Sequence, residues 1–297
     1  MKNLFYLSII ALILTACGTS KKAVTATNNT NEVISTEKEI TQQVEENVEE
    51  RTNVVIETIE KEEIQEVTEP DVVVEQTINT IPVEVFDHTS FNDLLTANVT
   101  AAGNVDYEGF RKNRTALRNY ITALGSNMPT PSWTQNDRLA YWMNAYNAMT
   151  IDLILRNLPL KSIKDIDKPW NQRLWKLGEK WYNLDEIEHK ILRKMNDARI
   201  HFGINCASFS CPPLLNEAFT SAKVDDQLDF LAKQFVNDTQ RNSISATNIK
   251  VSKIFNWFAK DFKQDGSLID FLNKYSNTTI HTNAKKSYKD YDWSLNQ

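Results

Sequence analysis

From residue 83 onward, apolar and aromatic side chains recur at helical spacing, and this pattern predicts most of the folded part of the chain. It predicts helices over residues 91–98, 112–124, 225–237, 252–262 and 268–275. A longer helix is predicted over residues 136–157, because Thr134 and Asp137 form a capping-box pattern and the following residues are apolar nearly all round. A helix of that kind belongs at the centre of a domain.

Two asparagines interrupt the apolar surface of this central helix. Asn144 and Asn147 lie three residues apart, so both amides face the same way, into the interior. A buried amide needs hydrogen-bond partners, so each one either clamps neighbouring backbone or lines a site. We favour the clamp for the pair, and we keep Asn144 as a candidate for orienting a catalytic group.

A further helix is predicted over residues 184–196, opened by a cap at Asn183. Its inward stripe is Leu184, Ile187, Ile191, Leu192 and Met195. Glu188 projects on that same apolar side, where a carboxylate must find a basic partner, accept hydrogen bonds or have its pKa raised. His189 lies at the edge of the stripe, four residues before Arg193.

Residues 199–205 alternate as a strand does, with Ile200, Phe202 and Ile204 on one face. This predicted strand ends at Cys206. The next residues, 207–213, include two consecutive prolines and are typical of a turn. Together with the predicted helices, the pattern indicates an α+β fold, a helix-dominated single domain over residues 83–297 with a small β-sheet.

Residues 18–82 differ from the rest of the chain because they contain no aromatic residue. They are rich in Thr, Val, Glu, Asn and Gln and cannot bury enough apolar surface to offset the entropy lost on ordering. We predict a disordered acidic stalk. Residues 31–80 hold 15 acidic and 3 basic residues, whereas residues 81–297 hold 24 acidic and 27 basic ones. The domain is therefore nearly neutral, which excludes a basic footprint for nucleic acid.

The first sixteen residues are typical of a secretory signal peptide. Lys2 precedes an apolar or small run over residues 4–16, which is too short for a membrane-spanning helix. Leu14-Thr15-Ala16-Cys17 resembles the lipobox of bacterial lipoproteins, which implies lipidation of Cys17, including palmitate. We therefore expect residues 1–16 to be removed and residues 17–82 to link the lipid anchor to the domain. The expected localisation is the cell envelope, with the lipid anchor in the outer membrane, and the sequence does not specify the face of that membrane.

Five stretches of the domain carry a family resemblance, and they lie within residues 86–297. They are residues 141–148, residues 184–189 with 191–193, residues 199–208 with 210–212, residues 251–257 with 261–262, and residues 291–296. In this order they resemble the bacterial, plant and animal proteins grouped as domain of unknown function 547. The resemblance implies the identity of the domain and leaves its chemistry open.

Cys206 is the strongest candidate for a catalytic nucleophile, because it lies where the predicted strand turns. A thiol hydrolase or acyltransferase needs a thiolate, a base close to it and a group that orients the base. His189, on another element, is free to approach, with Glu188 or Asn144 to orient it. His201 would lie roughly 16 Å from Cys206 along an extended strand and would need the chain to fold back.

Two alternatives compete for the same cysteines. Cys206 and Cys211 are the only cysteines left once Cys17 carries lipid, and in an oxidising compartment they could form a structural disulfide across the turn. His189 and His201 could join them as four metal ligands, but the spacing does not match a known zinc site. We predict neither a metal nor a cofactor.

The leading functional hypothesis is a membrane-tethered, thiol-dependent hydrolase or acyltransferase. Its substrate would be a peptide or ester of the envelope, and its only other predicted partner is the membrane, through lipid on Cys17. The alternative is a non-catalytic lipoprotein that binds an envelope or extracellular partner, with the polar motifs as scaffold. A structure discriminates between them: the enzyme hypothesis fails if no histidine ring lies within about 4 Å of the Cys206 sulfur and the thiol is buried or bridged to Cys211.

Overall fold

The computed structural model describes residues 85–297. The predicted leader, the lipidation site Cys17 and the predicted stalk lie outside the described residues. The helices are α1 (Thr89–Asn98), α2 (Tyr107–Lys112), α3 (Arg114–Ser126), α4 (Gln135–Asn157), α5 (Leu184–Glu186), α6 (Ile200–Gly203), α7 (Val224–Asn237), α8 (Ile254–Trp257) and α9 (Leu268–Tyr275). A π-helical turn covers Ile187–Ile191, and 3-10 turns cover Ile163–Asp165, Pro169–Asn171, Leu192–Met195 and Asp261–Lys263.

Two small sheets accompany the helices, so the predicted α+β class is confirmed. The strands are β1 (Trp175–Leu177), β2 (Lys180–Tyr182), β3 (Ser243–Ile244), β4 (Asn248–Val251) and β5 (Lys285–Tyr288). Strands β1 and β2 form an antiparallel hairpin. Strand β4 lies between antiparallel β3 and parallel β5. No helix within residues 85–297 combines the length and the apolar content that crossing a membrane requires.

Helix α4 is the centre of the domain, as the sequence predicts. The Thr134 hydroxyl accepts the Asp137 backbone N–H, and the Asp137 carboxylate accepts the Thr134 N–H, which completes the capping box. Every residue from 139 to 155 is buried. A helix buried on all sides holds its neighbours at fixed positions, so it is a rigid base for the segments that pack around it.

The two asparagines of α4 clamp backbone, as predicted. Asn144 donates to the Phe219 carbonyl at 2.8 Å and accepts the Phe219 N–H at 3.0 Å. Asn147 donates to the Gly203 carbonyl at 2.9 Å and accepts the Asn205 N–H at 2.9 Å. Both amides are buried with donor and acceptor satisfied, so they fix two irregular segments against the central helix.

The segment over residues 184–195 is helical, but its period changes along the chain. It starts as the α-helix α5 with its Asn183 cap, widens into the π turn Ile187–Ile191, and tightens into the 3-10 turn Leu192–Met195. A π turn shifts the side chains that follow it relative to an α-helical register, and such turns occur frequently at functional sites. Glu188, inside the π turn, is buried, and His189 is half-buried.

The predicted strand over residues 199–205 is wrong. Residues Ile200–Gly203 form the short helix α6, and only Ile204 and Asn205 continue in an extended path. His201 is buried on this helix and its ring stacks on Phe258 at 3.9 Å between centroids. The alternation of apolar and polar residues over 199–205 was misleading because His201, counted as an exposed polar position, packs inside against aromatic residues. The prediction of one helix over residues 252–262 is also wrong, since α8 and the turn Asp261–Lys263 are separate.

Candidate active site

A pocket of about 280 Å³ opens beside Cys206. It collects side chains from α4, the π turn, α6, the turn after α6, α8 and the segment after β5. Its polar lining includes Asp185, Glu188, His189, His201, Cys206, Cys211 and Tyr291, and its aromatic lining includes Trp170, Trp257, Phe258 and Trp293. These polar residues come from three separate parts of the sequence, near residues 185–189, 201–211 and 291, so folding brings the site together.

Cys206 lies directly after Asn205, which is held on several sides. Asn205 donates its side-chain amide to the Pro212 carbonyl at 2.8 Å, while its side-chain oxygen accepts the Ala207 N–H at 2.7 Å. Ala207 has a φ of 56°, a left-handed conformation that costs an alanine energy. This strained backbone immediately follows Cys206, and it turns the chain so that the thiol projects into the pocket.

Three hydrogen-bonding groups lie close to the Cys206 sulfur. Ser208 Oγ lies 3.1 Å from it, Cys211 Sγ 3.1 Å and the Tyr291 hydroxyl 3.3 Å. Hydrogen bonding by the Cys211 thiol, Ser208 and Tyr291 outweighs burial and lowers the pKa of Cys206 from 9.0 to about 7. These contacts therefore favour the thiolate, which is the nucleophilic form.

The pKa of Cys211 is shifted in the opposite direction to that of Cys206. Its side chain is buried, and burial together with the charge on Cys206 raises its pKa well above 9.0. Its sulfur accepts the Cys206 backbone N–H at 3.1 Å. Both cysteines are free thiols. Cys211 is therefore the protonated partner that supports a thiolate on Cys206.

Glu188 faces the same pocket as a buried carboxyl group. Among the residues that the structure describes, its hydrogen-bond partner is the Tyr146 hydroxyl, which donates to it at 3.1 Å. Burial raises the pKa of Glu188 from 4.5 to about 7, and nearby charge on Cys206 adds to the shift. A carboxyl group with a pKa near neutrality can both give and accept a proton at physiological pH.

The histidines belong to an ion-pair network next to the thiol. Arg193 donates to the Asp261 carboxylate through Nε at 2.6 Å and Nη2 at 2.8 Å, and His201 Nε2 lies 2.8 Å from the same carboxylate. Arg193 Nη1 lies 2.9 Å from His189 Nδ1. Burial lowers the pKa of both histidines, so both rings are neutral at pH 7.

The loop that carries both cysteines is clamped from outside the pocket. Arg241 donates to the carbonyls of Cys211 and Phe209 at 3.0 and 2.6 Å. The Phe209 N–H donates to the Ser294 carbonyl at 2.8 Å, and the Asp292 N–H donates to Ser210 Oγ at 2.9 Å. The segment around Tyr291 is thereby tied to the turn, which fixes its hydroxyl beside Cys206.

The structure brings together most of the site residues predicted from the sequence. Cys206, Cys211, Glu188, His189 and His201 all line the pocket. Within the described chain, neither histidine makes a hydrogen bond to the Cys206 sulfur, because Asp261 and Arg193 engage their ring nitrogens. Asn144 does not line the pocket, since its amide is fully used by Phe219. Asn144 is therefore a structural residue here.

Two contributors were missed by the sequence analysis. Tyr291 contacts the thiol directly, and Asp261 organises Arg193 and His201, but the sequence pattern assigns neither of them a role in the site. The signal was their presence in the motif stretches around residues 261 and 291. For the described residues, no three His, Cys, Asp or Glu side chains are placed to hold a metal ion.

Comparison with known proteins supports the domain family. Residues 130–236 match the model of the family described as "Protein of unknown function, DUF547". The matched region includes Glu188, His189, His201, Cys206 and Cys211, whereas Asp261 and Tyr291 lie beyond it. No curated protein and no solved structure matches the chain.

Proposed function

We propose that the domain is a thiol-dependent acyl-transfer enzyme, a hydrolase or acyltransferase, with Cys206 as its nucleophile and an amide or ester of the envelope as its substrate. One observation carries the proposal: at the wall of a pocket, the Cys206 sulfur lies within hydrogen-bonding distance of Ser208, Cys211 and Tyr291, and these contacts lower its pKa to about 7. A preformed thiolate needs no base within hydrogen-bonding distance before it attacks.

Glu188 is the group best suited to move the proton. The Cys206 thiolate attacks the substrate carbonyl carbon and forms a carbon–sulfur bond. The tetrahedral intermediate then expels the amine or alcohol, which takes a proton from neutral Glu188. In the second half, ionised Glu188 removes a proton from water or from an acceptor hydroxyl or amine, the resulting nucleophile attacks the thioester, and Cys206 leaves as thiolate.

The histidines have a different role in this scheme. Burial lowers the pKa of both rings, which are hydrogen-bonded to Asp261 and Arg193, so neither histidine is poised to supply a positive charge to the thiolate. His201 and His189 are therefore positioning residues that shape one wall of the pocket. The sequence-based hypothesis that one of them is the base is replaced by Glu188 in this proposal.

Turnover of chromogenic esters and amides by purified protein tests the proposal. We expect Cys206→Ser to lower kcat/KM on the order of a thousand-fold or more, and Glu188→Gln to lower it roughly a hundred-fold. Glu179→Gln, at an exposed carboxylate, is the matched control. Wild-type kcat/KM should peak near pH 7, because it rises as Cys206 ionises and falls as Glu188 does. Turnover that survives Cys206→Ser would rule the mechanism out.

Binding without turnover is the competing function, and the aromatic side of the pocket favours it. Trp257 and Trp293 stack with centroids 5.7 Å apart, Tyr291 packs on both, and Trp257 is 46 % exposed. Exposed aromatic surface at a pocket is typical of ligand contact. Saturable quenching of tryptophan fluorescence by envelope peptides or glycans, without any hydrolysis, would support binding over catalysis.

We further propose that the domain is tethered to the envelope by lipid on Cys17, on the periplasmic side of the outer membrane. The support is the lipobox-like Leu14-Thr15-Ala16-Cys17 after an apolar run. Metabolic labelling with radioactive palmitate tests it: the wild-type chain should incorporate label and fractionate with outer membranes. Cys17→Ala should lose the label, and label retained by this variant would contradict the proposal.

A further inference from the structure

The two cysteines of the pocket lie at the ends of one tight turn. Their sulfur atoms are 3.1 Å apart, and the Cys206 N–H donates to the Cys211 sulfur at 3.1 Å. The Cys211 N–H donates to the Ser208 carbonyl at 3.0 Å, which closes the turn. Since a disulfide bond is about 2.05 Å long, a movement of about 1 Å would bring the sulfurs into bonding distance.

The two thiols differ in solvent exposure. Cys206 is half-buried and Cys211 is only 5 % exposed, although both line the pocket. An external disulfide therefore reaches Cys206 first. The pKa values agree with this order, because Cys206 is lowered to about 7 while Cys211 is raised well above its ordinary value. Cys206 is the attacking sulfur and Cys211 the resolving one.

We propose that Cys206 and Cys211 are a reversible dithiol–disulfide pair, which exchanges with small-molecule or protein disulfides through a mixed disulfide on Cys206. The exchange rests on the sulfur geometry alone. Its consequence for catalysis rests on the proposed function: oxidation would withdraw the nucleophile, and reduction would restore it. The site would then be active only when the redox state of its surroundings keeps the pair reduced.

The exchange balances in two steps. The Cys206 thiolate attacks one sulfur of an external disulfide RS–SR, whose S–S bond breaks. The first RS⁻ leaves and takes up a proton. The Cys211 thiol then loses its proton to solvent and attacks the Cys206 sulfur, and the second RS⁻ leaves and is protonated. The pair loses two electrons, and the external disulfide gains them to become two thiols.

A permanent structural disulfide is the alternative, and the position of Cys206 argues against it. Its sulfur faces a solvent-connected pocket, so a reducing thiolate can reach the bond. Cys206 is also a good leaving group, because its contacts with Ser208 and Tyr291 favour the thiolate and lower its pKa. Exposed disulfides with a stabilised leaving thiolate are the readily reduced ones.

Redox titration of the full chain with oxidised and reduced glutathione tests the proposal. After alkylation and tryptic digestion, both cysteines fall in one peptide, residues 200–223, which separates them from Cys17. We expect the wild-type peptide to lose both alkylatable thiols as the oxidised fraction rises, with little glutathione attached. Dithiothreitol added to the folded protein should restore both thiols.

Two single variants separate the roles of the sulfurs. Cys211→Ser lacks the resolving thiol, so one glutathione should accumulate on Cys206. Cys206→Ser should leave Cys211 unmodified, because its thiol is buried and protonated. Circular dichroism of each variant establishes that it is folded.

Several outcomes would overturn the proposal. They are a wild-type pair that stays reduced at every glutathione ratio, a bridge that resists dithiothreitol in the folded protein, or the absence of an adduct in folded Cys211→Ser. Because the readout is mass, it does not depend on turnover. Exchange without ester cleavage would refute acyl transfer only, and cleavage without exchange would refute this inference only.

Discussion

Asn147 Oδ1 accepts the backbone N–H of Asn205 at 2.9 Å, and this bond ties the middle of helix α4 to the residue before Cys206. The same amide donates to the Gly203 carbonyl at 2.9 Å. Removing it would leave two buried backbone groups without partners. We expect Asn147→Ala to lower the free energy of unfolding by about 2–4 kcal/mol, measured by urea denaturation.

Asn136→Ala is the matched control for this prediction, because it lies at an exposed position of the same helix. Its effect should stay below about 0.5 kcal/mol. Equal effects of the two substitutions would mean that the amide of Asn147 does not clamp the segment.

Tyr291 controls the acidity of Cys206. Its hydroxyl lies 3.3 Å from the sulfur and is one of the groups that lower the pKa of the thiol. Tyr291→Phe removes a hydrogen bond to a charged atom, so the pKa of Cys206 should rise by roughly one unit. The measurement is the rate of iodoacetamide alkylation of Cys206 against pH, followed on the peptide over residues 200–223.

Tyr288→Phe is the control, since Tyr288 lies on strand β5 and does not line the pocket. It should leave the midpoint near pH 7. A midpoint that does not move in Tyr291→Phe would show that Ser208 and Cys211 alone stabilise the thiolate.

Glu188 makes the stability of the domain depend on pH. Its pKa is raised by burial from 4.5 to about 7, so the unfolded chain gives up this proton at lower pH than the folded one. The contribution of protonated Glu188 to the free energy of unfolding is fully present below about pH 4.5 and is lost as the pH rises toward 7. Above pH 7 this contribution no longer changes. Relative to Glu188→Gln, the wild type should lose up to about 3 kcal/mol between pH 4.5 and pH 8.

Comparing wild type with Glu188→Gln isolates the contribution of Glu188 to the pH dependence of stability, because His189 and His201 are present in both proteins. The histidines act oppositely: burial lowers their pKa, so their contribution weakens as pH falls below 6.5. Parallel stability curves for wild type and Glu188→Gln would contradict a raised pKa at Glu188.

Asp261 holds Arg193 and His201 together. Burial opposes its ionisation, but hydrogen bonds from His201 and Arg193 keep the pKa of Asp261 below its ordinary 3.8. Its contribution is therefore present above about pH 4 and is lost as pH falls through the lowered pKa. At pH 7 we expect Asp261→Asn to cost about 2 kcal/mol of unfolding free energy, since Arg193 remains 26 % exposed and solvent screens it.

Asp265→Asn is the control, because its carboxylate is 83 % exposed. It should change stability little. The cost of Asp261→Asn should also shrink as the pH is lowered toward 3. A cost that persists unchanged at pH 3 would point to packing of the side chain and not to its charge.

Local signals made the centre of the fold predictable. The capping pattern at Thr134 and the continuous apolar run after it predict helix α4, and the predicted backbone clamp by Asn144 and Asn147 is confirmed, whereas a site role for Asn144 is not. Glu188 could be predicted as an unusual carboxylate, because on an apolar stripe it must find a basic partner, accept hydrogen bonds or have its pKa raised. Each of these inferences depends on residues within one element.

The errors arose where distant segments decide the outcome. His201 looked like the polar position of a strand, but stacking on Phe258 and a hydrogen bond to Asp261 place it inside a helix. The π turn at Glu188 and the contact between Tyr291 and Cys206 likewise depend on packing across the domain. The spacing of apolar residues within one segment does not reveal contacts with segments that are distant in the sequence.

The distance along the chain between Cys206 and Tyr291 has a consequence for biosynthesis. The two residues are 85 positions apart, so this hydrogen bond cannot form until the ribosome has made nearly the entire domain. Until then Cys206 lacks the donor from Tyr291 and is a weaker acid. The nascent chain therefore carries a less acidic Cys206 thiol during synthesis, and the full stabilisation of the thiolate by Tyr291 requires the completed fold.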